Sequence, residues 1–191
     1  MELLVESRLP SKWGEYVMAA FGEEGDPHPH VVLHSNLTRL RSGRVPVRIH
    51  SECMTGDVFA SRRCDCGAQL VAAMDHFKQH GGLLIYLRQE GRGIGLVEKL
   101  RAYNLQDEGL NTFEANVAQG HAEDARQYGA AVAILRHLGV TSVSLLTNNP
   151  DKVRALEEAG LDVLRLPNAV GAHRDNAAYL KAKADITGHW L

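Results

Sequence analysis

The stretch TSVSLLTNNPDKVRALEEAGLDVLRL, residues 141–166, decides the fold class of this chain. TSVSLLT and LDVLRL are short apolar runs that are typical of buried strands. Between them, NPDKVRALEEAG predicts a helix with Pro150 in its opening turn, where a helix needs no backbone N–H. A strand, a helix and a strand in succession form a βαβ unit, so we expect the two strands to pair in parallel.

Upstream of this unit, EYVMAAF, HVVLHS and VPVRIHS make residues 1–60 rich in strand patterns, and LLIYL predicts a further buried strand. Helices are predicted for GAQLVAAMDHFKQHGG, GLVEKLRAYNLQDEG, HAEDARQYGAAVAILRHLG and the tail RDNAAYLKAKADITGHWL. The apolar faces of the first two are Leu70, Ala73, Met74 and Phe77, and Leu96, Leu100, Tyr103 and Leu105. We therefore expect a mixed α/β (α+β) fold over residues 1–191 as a single domain. Its β-rich N-terminal part would be followed by helices around a mixed sheet, with the βαβ unit near the C-terminus.

The composition of the chain excludes several classes of protein. The formal net charge is −2, so no overall basic field is available to hold nucleic acid, and any phosphate site must be local. The apolar runs are far shorter than a membrane span, and the N-terminus lacks the pattern of a secretory signal. We expect a cytoplasmic protein that binds neither membranes nor nucleic acid and keeps its thiols reduced.

The three cysteines of the chain all lie in HSECMTGDVFASRRCDCGAQL, residues 50–70. An odd number of cysteines does not suit a disulfide framework, whereas thiolates are soft ligands that favour zinc. Cys53, Cys64 and Cys66 would leave a fourth position for water, which is the pattern of a catalytic zinc site. His50 could instead complete a closed Cys3His site, and three buried apolar cysteines are the simpler alternative.

The glycine-rich run RQEGRGIGL, residues 88–96, follows the LLIYL strand and precedes a helix. Its glycines allow the backbone to approach a ligand closely, and the helix N-terminus favours anions. The spacing differs from the dinucleotide-binding motif, and the chain has no P-loop motif. Arg88 and Arg92 could hold phosphates through paired donors. Alternatively, the run is a turn with solvated arginines.

LLTNNPDKV, residues 145–153, is another candidate for ligand binding. Ligands of open α/β sheets lie beyond the carboxyl ends of the strands, which places Thr147 and Lys152 near a polar or anionic ligand. Alternatively, Asn148 or Asn149 only caps the following helix.

AEDARQY carries Asp124 and Arg126, two positions apart. Residues with this spacing do not share a helix face, so both can serve one site only if they lie in the loop or the first turn. The alternative is an exposed acid at a helix N-terminus, where the helix dipole favours it.

The fragments RIHSEC-TGD, S-RCDCG-QL, RQEGRGIGL--K--AY-LQ-EG--T-EAN, D-R-Y and LLTNNP-K follow one another along the chain. Together, in this order and spacing, they resemble GTP cyclohydrolase II. The likeness runs from about residue 9 to the C-terminal VGAHRDNAAYLKAK, nearly the whole chain. It therefore indicates the monofunctional form, without a dihydroxybutanone phosphate synthase domain.

The resemblance implies zinc-dependent hydrolysis of GTP as the first step of riboflavin biosynthesis. The imidazole ring would open at C8, with release of formate, pyrophosphate and 2,5-diamino-6-ribosylamino-4(3H)-pyrimidinone 5′-phosphate. Zinc on Cys53, Cys64 and Cys66 suits the ring opening, and because that site must stay open, His50 is not expected as a fourth ligand. The family also implies magnesium at the triphosphate and a homodimer.

The resemblance assigns roles to individual residues as well. Asp124 would be a general base, Tyr103 would lie near the ring-opening site, and Arg126 would attack the α-phosphorus to form a guanylyl-enzyme. Since a guanidinium is essentially always protonated, stabilising transition-state charge is the more ordinary role for Arg126. Gln69 and Glu90 suit the amide edge of guanine. The residues implied to contact GTP are Arg48, Ile49, His50, Ser51, Glu52, Gln69, Glu90, Gly91, Arg92, Thr112, Thr147 and Lys152.

Two runs depart from the family pattern. EANVAQGHAEDARQY has Gln119 and His121 where the family has leucine and then an aromatic residue or leucine. VGAHRDN, residues 170–176, replaces a VGxNPxN-like run. These changes admit a paralogue that stops at the formylated intermediate or serves another pathway. An alternative from a different class is a zinc-stapled module that binds GTP without turnover.

Overall fold

The computed structural model of the chain describes residues 1–36, 43–168, 170–171 and 174–190. Its strands are β1 (Glu2–Ser11), β2 (Gly14–Gly22), β3 (His30–His34), β4 (Val45–Ser51), β5 (Leu83–Leu87), β6 (Ser142–Leu146) and β7 (Asp162–Leu166). Its helices are α1 (Met54–Asp57), α2 (Cys66–His80), α3 (Leu96–Asp107), α4 (Thr112–Ala118), α5 (Gly129–His137), α6 (Pro150–Glu158) and α7 (Ala177–Thr187), with a 3-10 turn at Glu90–Gly93.

Within these residues the strands form one seven-stranded sheet in the order β1-β2-β3-β5-β4-β6-β7. β1, β2, β3 and β5 pair antiparallel, whereas β5, β4, β6 and β7 pair in parallel. The mixed α/β class is confirmed, and so is the parallel βαβ unit, which is β6–α6–β7. Asn149 caps α6, because its side chain accepts from the backbone N–H of Asp151.

Helices cover both faces of this sheet. On one face α5 and α6 bury Leu135 and Leu156 in the main core. On the other face α2 buries Ala73, Met74 and Phe77, as its periodicity predicted. None of the helices in the described ranges is long and apolar enough to cross a membrane.

Strand β4 divides the core from the site. Val47 and Ile49 are fully buried in the main core. Because side chains alternate along a strand, Arg48 and His50 face the side of the sheet that α2 covers. The parallel strands β4, β5 and β6 all end at one edge, where Cys53, residues 88–95 and Thr147 follow them. Ligands of such sheets bind at this edge.

Helix α5 begins at Gly129, so the prediction of helix over HAEDARQY is wrong. Asp124 explains the difference, because its carboxylate accepts from the backbone N–H of Arg126 at 3.0 Å, and such local bonds compete with helix formation. The backbone N–H of Ala125 donates to the carbonyl of Arg92 at 3.1 Å. This segment is therefore tied to the glycine-rich run.

The apolar face predicted for α3 is only partly right. Leu100 is 46% exposed, and Val97 is exposed as well, whereas Ala102 is the residue that α3 buries. The reason is that α3 packs mainly against the short helix α4 and the 3-10 turn, so its buried stripe is narrow.

Candidate active site

The sulfur atoms of the three cysteines meet beyond the end of β4. Cys53 precedes α1, Cys64 lies just before α2, and Cys66 opens α2. Their Sγ atoms all lie within 4.8 Å of one another, and those of Cys53 and Cys64 are 3.7 Å apart. Helix α1 can pack this closely because a Cβ on Gly56 would lie only 2.9 Å from Cys64 Sγ. In the part of the chain that the structure describes, no other three metal-ligating side chains converge in this way.

This sulfur cluster already stabilises one negative charge. Hydrogen bonds from Cys64 and Cys66, together with the ammonium group of Lys99, hold the pKa of Cys53 well below its ordinary value. The bond to Cys53 raises the pKa of Cys64 to about 11, and it raises the pKa of Cys66 as well. A soft three-sulfur set fits zinc and leaves one position of the tetrahedron open.

Asp57 fixes the loop that carries Cys53. Its carboxylate accepts from the backbone N–H of Cys53 at 3.0 Å, from the Tyr86 hydroxyl at 2.8 Å and from His50 Nε2 at 3.0 Å. The other ring nitrogen of His50 lies 3.5 Å from Arg48 Nη2, and burial lowers the pKa of this histidine. Both ring nitrogens are engaged, so His50 offers no ligand atom to the sulfur cluster.

A cavity of about 640 Å³, partly open to solvent, lies over the sulfur cluster. The predicted site residues that line it are Ser51, Glu52, Cys53, Cys64, Cys66, Glu90, Gly91, Arg92, Tyr103, Thr112 and Arg126. Fragments that lie far apart in the sequence therefore meet at one cavity, which we call the larger cavity only to distinguish it from a smaller one at the end of β6.

Lys99 connects the glycine-rich run to the sulfur cluster. Its Nζ donates to Cys53 Sγ at 3.1 Å and to Glu90 Oε1 at 2.8 Å. The second carboxylate oxygen of Glu90 accepts from the backbone N–H of Met54 at 2.6 Å. Lys99 lies one turn into α3 and belongs to the fragment RQEGRGIGL--K--AY, but the pattern of an amphipathic helix does not show that its side chain reaches a thiol.

Arg92 presents free donors to the larger cavity. Its φ is 62°, in the left-handed region that residues other than glycine seldom adopt. The guanidinium stacks on the ring of Phe113 at 4.0 Å, while Nη1 and Nη2 are buried without a hydrogen-bond partner in the described structure. Buried donors of this kind need an acceptor. Arg92 is therefore placed to bind an oxygen atom of a ligand.

Tyr103 stands beside the sulfur cluster. Its hydroxyl lies 3.2 Å from Thr55 Oγ1, which is itself 3.6 Å from Cys53 Sγ. The hydroxyl of a tyrosine is protonated at neutral pH, and burial raises the pKa of Tyr103 further above that range. It can therefore donate a hydrogen bond within the larger cavity.

A second, smaller cavity of about 430 Å³ lies at the end of β6. The predicted site residues that line it are Arg48, His50, Ser51, Cys66, Gln69, Arg126, Thr147 and Lys152. No aspartate or glutamate from the described ranges lines this cavity. A wall with several cations and no carboxylate suits a phosphate chain.

Two buried donors in the smaller cavity lack a partner among the residues described. Arg48 Nη1 donates to the Leu146 carbonyl at 2.9 Å and Nη2 to Gln69 Oε1 at 2.7 Å, but Nε has no acceptor. Asn148 Oδ1 accepts from the backbone N–H of Asn168 at 3.0 Å, which leaves the amide nitrogen without an acceptor. Both unpaired groups are donors, as an anion would require.

Lys152 reinforces the cationic character of the smaller cavity. Its Nζ donates to the carbonyl of Ile49 at 2.8 Å. Burial, and after it the neighbouring charges of Arg48 and Arg126, lower the pKa of Lys152 well below its ordinary value. A bound anion would relieve this crowding of positive charge.

Arg126 lies between the two cavities and, like Cys66, lines both. Its Nε donates to Asp124 Oδ1 at 2.9 Å. Burial lowers the pKa of Arg126, but the neighbouring Tyr128 and Asp124 raise it above its ordinary value. Burial has the opposite effect on the pKa of Asp124, which it raises. The hydrogen bonds from Arg126 outweigh burial, so the pKa of Asp124 lies below its ordinary value. The pair is therefore a guanidinium and a carboxylate at neutral pH.

Two predicted site residues line neither cavity. The side chain of Ile49 belongs to the main core, so only its backbone faces the site. Asp124 reaches the site only through Arg126.

Two of the residues that depart from the family pattern, Gln119 and His121, lie away from these walls. Gln119 Nε2 donates to the Ala115 carbonyl at 2.9 Å, and His121 Nε2 lies 3.7 Å from a carboxylate oxygen of Glu98. Residues 172 and 173 of the VGAHRDN run lie outside the described residues.

Comparison with known proteins points to one family. The family model described as GTP cyclohydrolase II matches residues 2–166. A protein named GTP cyclohydrolase-2 from Neisseria meningitidis serogroup C is 50% identical over 187 aligned positions, and the alignment covers 96% of this chain and 93% of that protein. Proteins of the same name from Shewanella amazonensis and Escherichia fergusonii are 48% and 47% identical over 195 aligned positions. These alignments cover 100% of this chain and 94% and 97% of those proteins.

Among solved structures, RibBX from A. baumannii, a two-domain 3,4-dihydroxy-2-butanone 4-phosphate synthase, aligns with 90% of this chain and 40% of its own. The TM-score is 0.47 and the identity 20%, a likeness too low to bear on fold or function. The family match and the identity to relatives over nearly the full length are decisive. This chain belongs to the GTP cyclohydrolase II family.

Proposed function

We propose that this chain is a zinc-dependent hydrolase of GTP that catalyses the first step of riboflavin biosynthesis. It would open the imidazole ring of guanine at C8 and release formate and pyrophosphate. The observation that carries this proposal is that Arg126 and Cys66 line both cavities. The sulfur cluster and the cationic side chains of the smaller cavity therefore belong to one continuous site. A guanine nucleotide with its base in the larger cavity and its phosphates in the smaller one would span the two.

At the base end, Glu90 is our candidate for recognition of guanine. A carboxylate that faces the N1–H and 2-amino groups of guanine would exclude adenine. Lys99 and the backbone N–H of Met54 already hold the carboxylate of Glu90 in one orientation. Arg92 offers its free donors to an oxygen atom of the substrate. The other predicted GTP contacts at this end that line the larger cavity are Ser51, Glu52, Gly91 and Thr112.

At the sulfur cluster, the three thiolates would hold zinc, which when bound supplies a Lewis acid and a source of the nucleophile for ring opening. The converging Sγ atoms support this assignment, and Asp57 keeps Cys53 in place. Tyr103, whose hydroxyl is protonated, would donate a hydrogen bond to charge that develops on the opening ring.

At the phosphate end, Arg48, Thr147 and Lys152 would bind the triphosphate. Gln69, which was expected at the amide edge of guanine, lines only the smaller of the two cavities, and there it would orient Arg48. Arg126 would act at the α-phosphorus. Its positive charge and its pairing with Asp124 favour stabilisation of transition-state charge over nucleophilic attack. Magnesium would enter with the triphosphate as part of the substrate, since the described wall of the smaller cavity carries no carboxylate to bind it.

The direct test is to incubate the purified, zinc-loaded protein with GTP and magnesium and to measure formate, pyrophosphate and the mass of the pyrimidine product. We expect all three products. A formylated pyrimidine without formate release would identify the paralogue that stops at the intermediate. Binding of GTP without turnover would leave only the zinc-stapled module and overturn the proposal. The three-sulfur cluster argues for an enzyme, because structural zinc sites take four protein ligands.

We also propose a cytoplasmic homodimer. Thiols of the kind that hold zinc stay reduced in the cytoplasm. Large apolar side chains after α1 and along α3, namely Val58, Phe59, Val97 and Leu100, are 46–71% exposed, which suits burial against a second copy. Light scattering should report twice the chain mass of 21.0 kDa. A single-chain mass at working concentration would contradict the homodimer.

A further inference from the structure

The C-terminal helix α7 lies against the site, although the family model matches only residues up to 166. Tyr179, in the first turn of α7, lines both cavities. Beyond its last turn, the backbone N–H of Trp190 donates to the Asn148 carbonyl at 3.0 Å, and Arg165 stacks on the indole at 4.4 Å. Helix α7 is therefore anchored at the base end and at the phosphate end of the site.

Lys183 makes the central contact of α7. Its Nζ donates to Asp65 Oδ1 at 2.7 Å, and the two side chains are only 7% and 1% exposed. Asp65 stands between Cys64 and Cys66 in the sequence. It is also the N-cap residue of α2, yet its side chain makes no capping hydrogen bond. The carboxylate of Asp65 serves the contact with α7 and not the start of its own helix.

From Asp65 a line of hydrogen bonds continues to the smaller cavity. Asp65 Oδ2 accepts from Gln69 Nε2 at 2.6 Å. Gln69 Oε1 accepts from Arg48 Nη2 at 2.7 Å, and Arg48 Nη1 donates to the Leu146 carbonyl at 2.9 Å. One buried network thus joins α7, the loop between two of the sulfur atoms and an arginine of the cationic wall.

We propose that Lys183 is a positioning residue that acts through Asp65. It would couple the docking of α7 to the placement of the two cysteines that flank Asp65, and through Gln69 it would orient Arg48. The inference rests on the proposed function in taking the cysteines as zinc ligands. Because coupling between two sites is reciprocal, bound zinc should hold α7 in place to the same degree that docked α7 strengthens zinc binding.

A purely stabilising role explains this arrangement less well. A buried ion pair contributes little net stability, because the desolvation of both charges offsets their attraction. By contrast, removal of a residue that holds metal ligands in position commonly reduces metal affinity or activity roughly 10–100-fold. The position of Asp65 between two sulfur ligands, and its second bond to Gln69, fit such a role.

Lys183→Met tests the inference, with Lys181→Met as the matched control, because Lys181 is on the same helix, 76% exposed and paired with Asp185. Zinc affinity would be measured by chelator competition, and the geometry of the sulfur cluster by the thiolate charge-transfer bands of cobalt-substituted protein. We expect Lys183→Met to weaken zinc binding roughly tenfold or more and to shift the cobalt bands. The control should match the wild type. If all three proteins share one zinc affinity and one cobalt spectrum, the inference is overturned.

If Lys183→Met does not fold, because Asp65 is left buried without its partner, the unmodified protein carries the test. Hydrogen exchange of residues 177–187 would be compared with and without zinc, using α5 as the internal reference. We expect removal of zinc to speed exchange in α7 and not in α5. Unchanged exchange in α7 would refute the coupling. A wild-type protein that binds no zinc would instead overturn the proposed function, so the two failures are distinguishable.

Discussion

Lys99 donates a hydrogen bond to Cys53, with Nζ and Sγ 3.1 Å apart, and the same ammonium group reaches Glu90 at 2.8 Å. Burial alone would lower the pKa of Lys99, but Cys53 and Glu90 raise it above its ordinary value, so the group stays charged. One cation therefore joins a proposed zinc ligand to the residue proposed to recognise the base.

Lys99→Met should lower kcat/KM for formate release by roughly a hundredfold. Without the ammonium group, the Cys53 thiolate loses a donor and the Glu90 carboxylate loses the contact that orients it. Steady-state formate release checks this prediction. Arg101→Met, an exposed change on the same helix, is the control. Equal rates in the two variants would show that Lys99 has no part in the reaction.

Cys64→Ser should separate the two hydrolytic steps. Loss of one sulfur ligand should abolish formate release, while the phosphate end of the site stays intact and still releases pyrophosphate, leaving GMP. Mass spectrometry of the products and analysis of bound zinc check this prediction. Formate release at the wild-type rate would refute the zinc assignment.

Lys152→Met should change how many protons are taken up when nucleotide binds. Burial and neighbouring cations lower the pKa of Lys152 in the free protein, and a bound triphosphate would raise it, so binding takes up protons at any pH between these two pKa values. The contribution of Lys152 to affinity is therefore full at low pH and is lost as the pH rises through the pKa of the bound state. Calorimetry with a non-hydrolysable GTP analogue in two buffers measures the uptake. Lys78→Met, an exposed change on α2, should behave as the wild type; equal uptake in Lys152→Met would contradict the assignment.

Arg126→Lys should slow pyrophosphate release by at least about a hundredfold. Lysine keeps the charge but loses the planar, two-pronged pairing with Asp124. Mass spectrometry of acid-quenched wild-type protein with GTP then decides between the two roles of Arg126. We expect no covalent nucleotide adduct, as charge stabilisation requires. An adduct on Arg126 would establish the guanylyl-enzyme.

Gly93→Ala should reduce turnover more than Gly95→Ala does. Both glycines have positive φ, +92° and +89°, so either change should cost about 1–2 kcal/mol of stability through backbone strain. Only at Gly93 would the new Cβ lie 3.1 Å from the Ala125 carbonyl and push against the Asp124–Arg126 segment. Urea unfolding and GTP turnover measure the two effects. Equal turnover in both variants would mean that this contact does not position Arg126.

Features set by local pattern were predictable from the sequence. The β6–α6–β7 unit follows from apolar runs and a helix start at Pro150, and the sulfur cluster follows from the spacing of cysteines within one loop. The helical spacing of HAEDARQY predicted a helix that does not form. The carboxylate of Asp124 accepts from the backbone N–H of Arg126, and the spacing of residues does not show this local hydrogen bond.

Features set by contact between distant segments were not predictable. Lys183 and Asp65 are 118 positions apart, and Lys99 and Cys53 are 46 apart, so only the folded chain brings them together. A lysine on an amphipathic helix looks the same in the sequence whether it faces solvent or a buried thiol.

The alternation of side chains in β4 determines what a misfolded form with a shifted β4 would lose. A pairing error of one residue against β5 or β6 would turn Arg48 and His50 into the main core and Val47 and Ile49 towards the smaller cavity. The same error therefore removes hydrophobic stabilisation and ligand binding together. Stable but inactive molecules with a shifted β4 should not accumulate, and the folded fraction of a preparation should equal its active fraction.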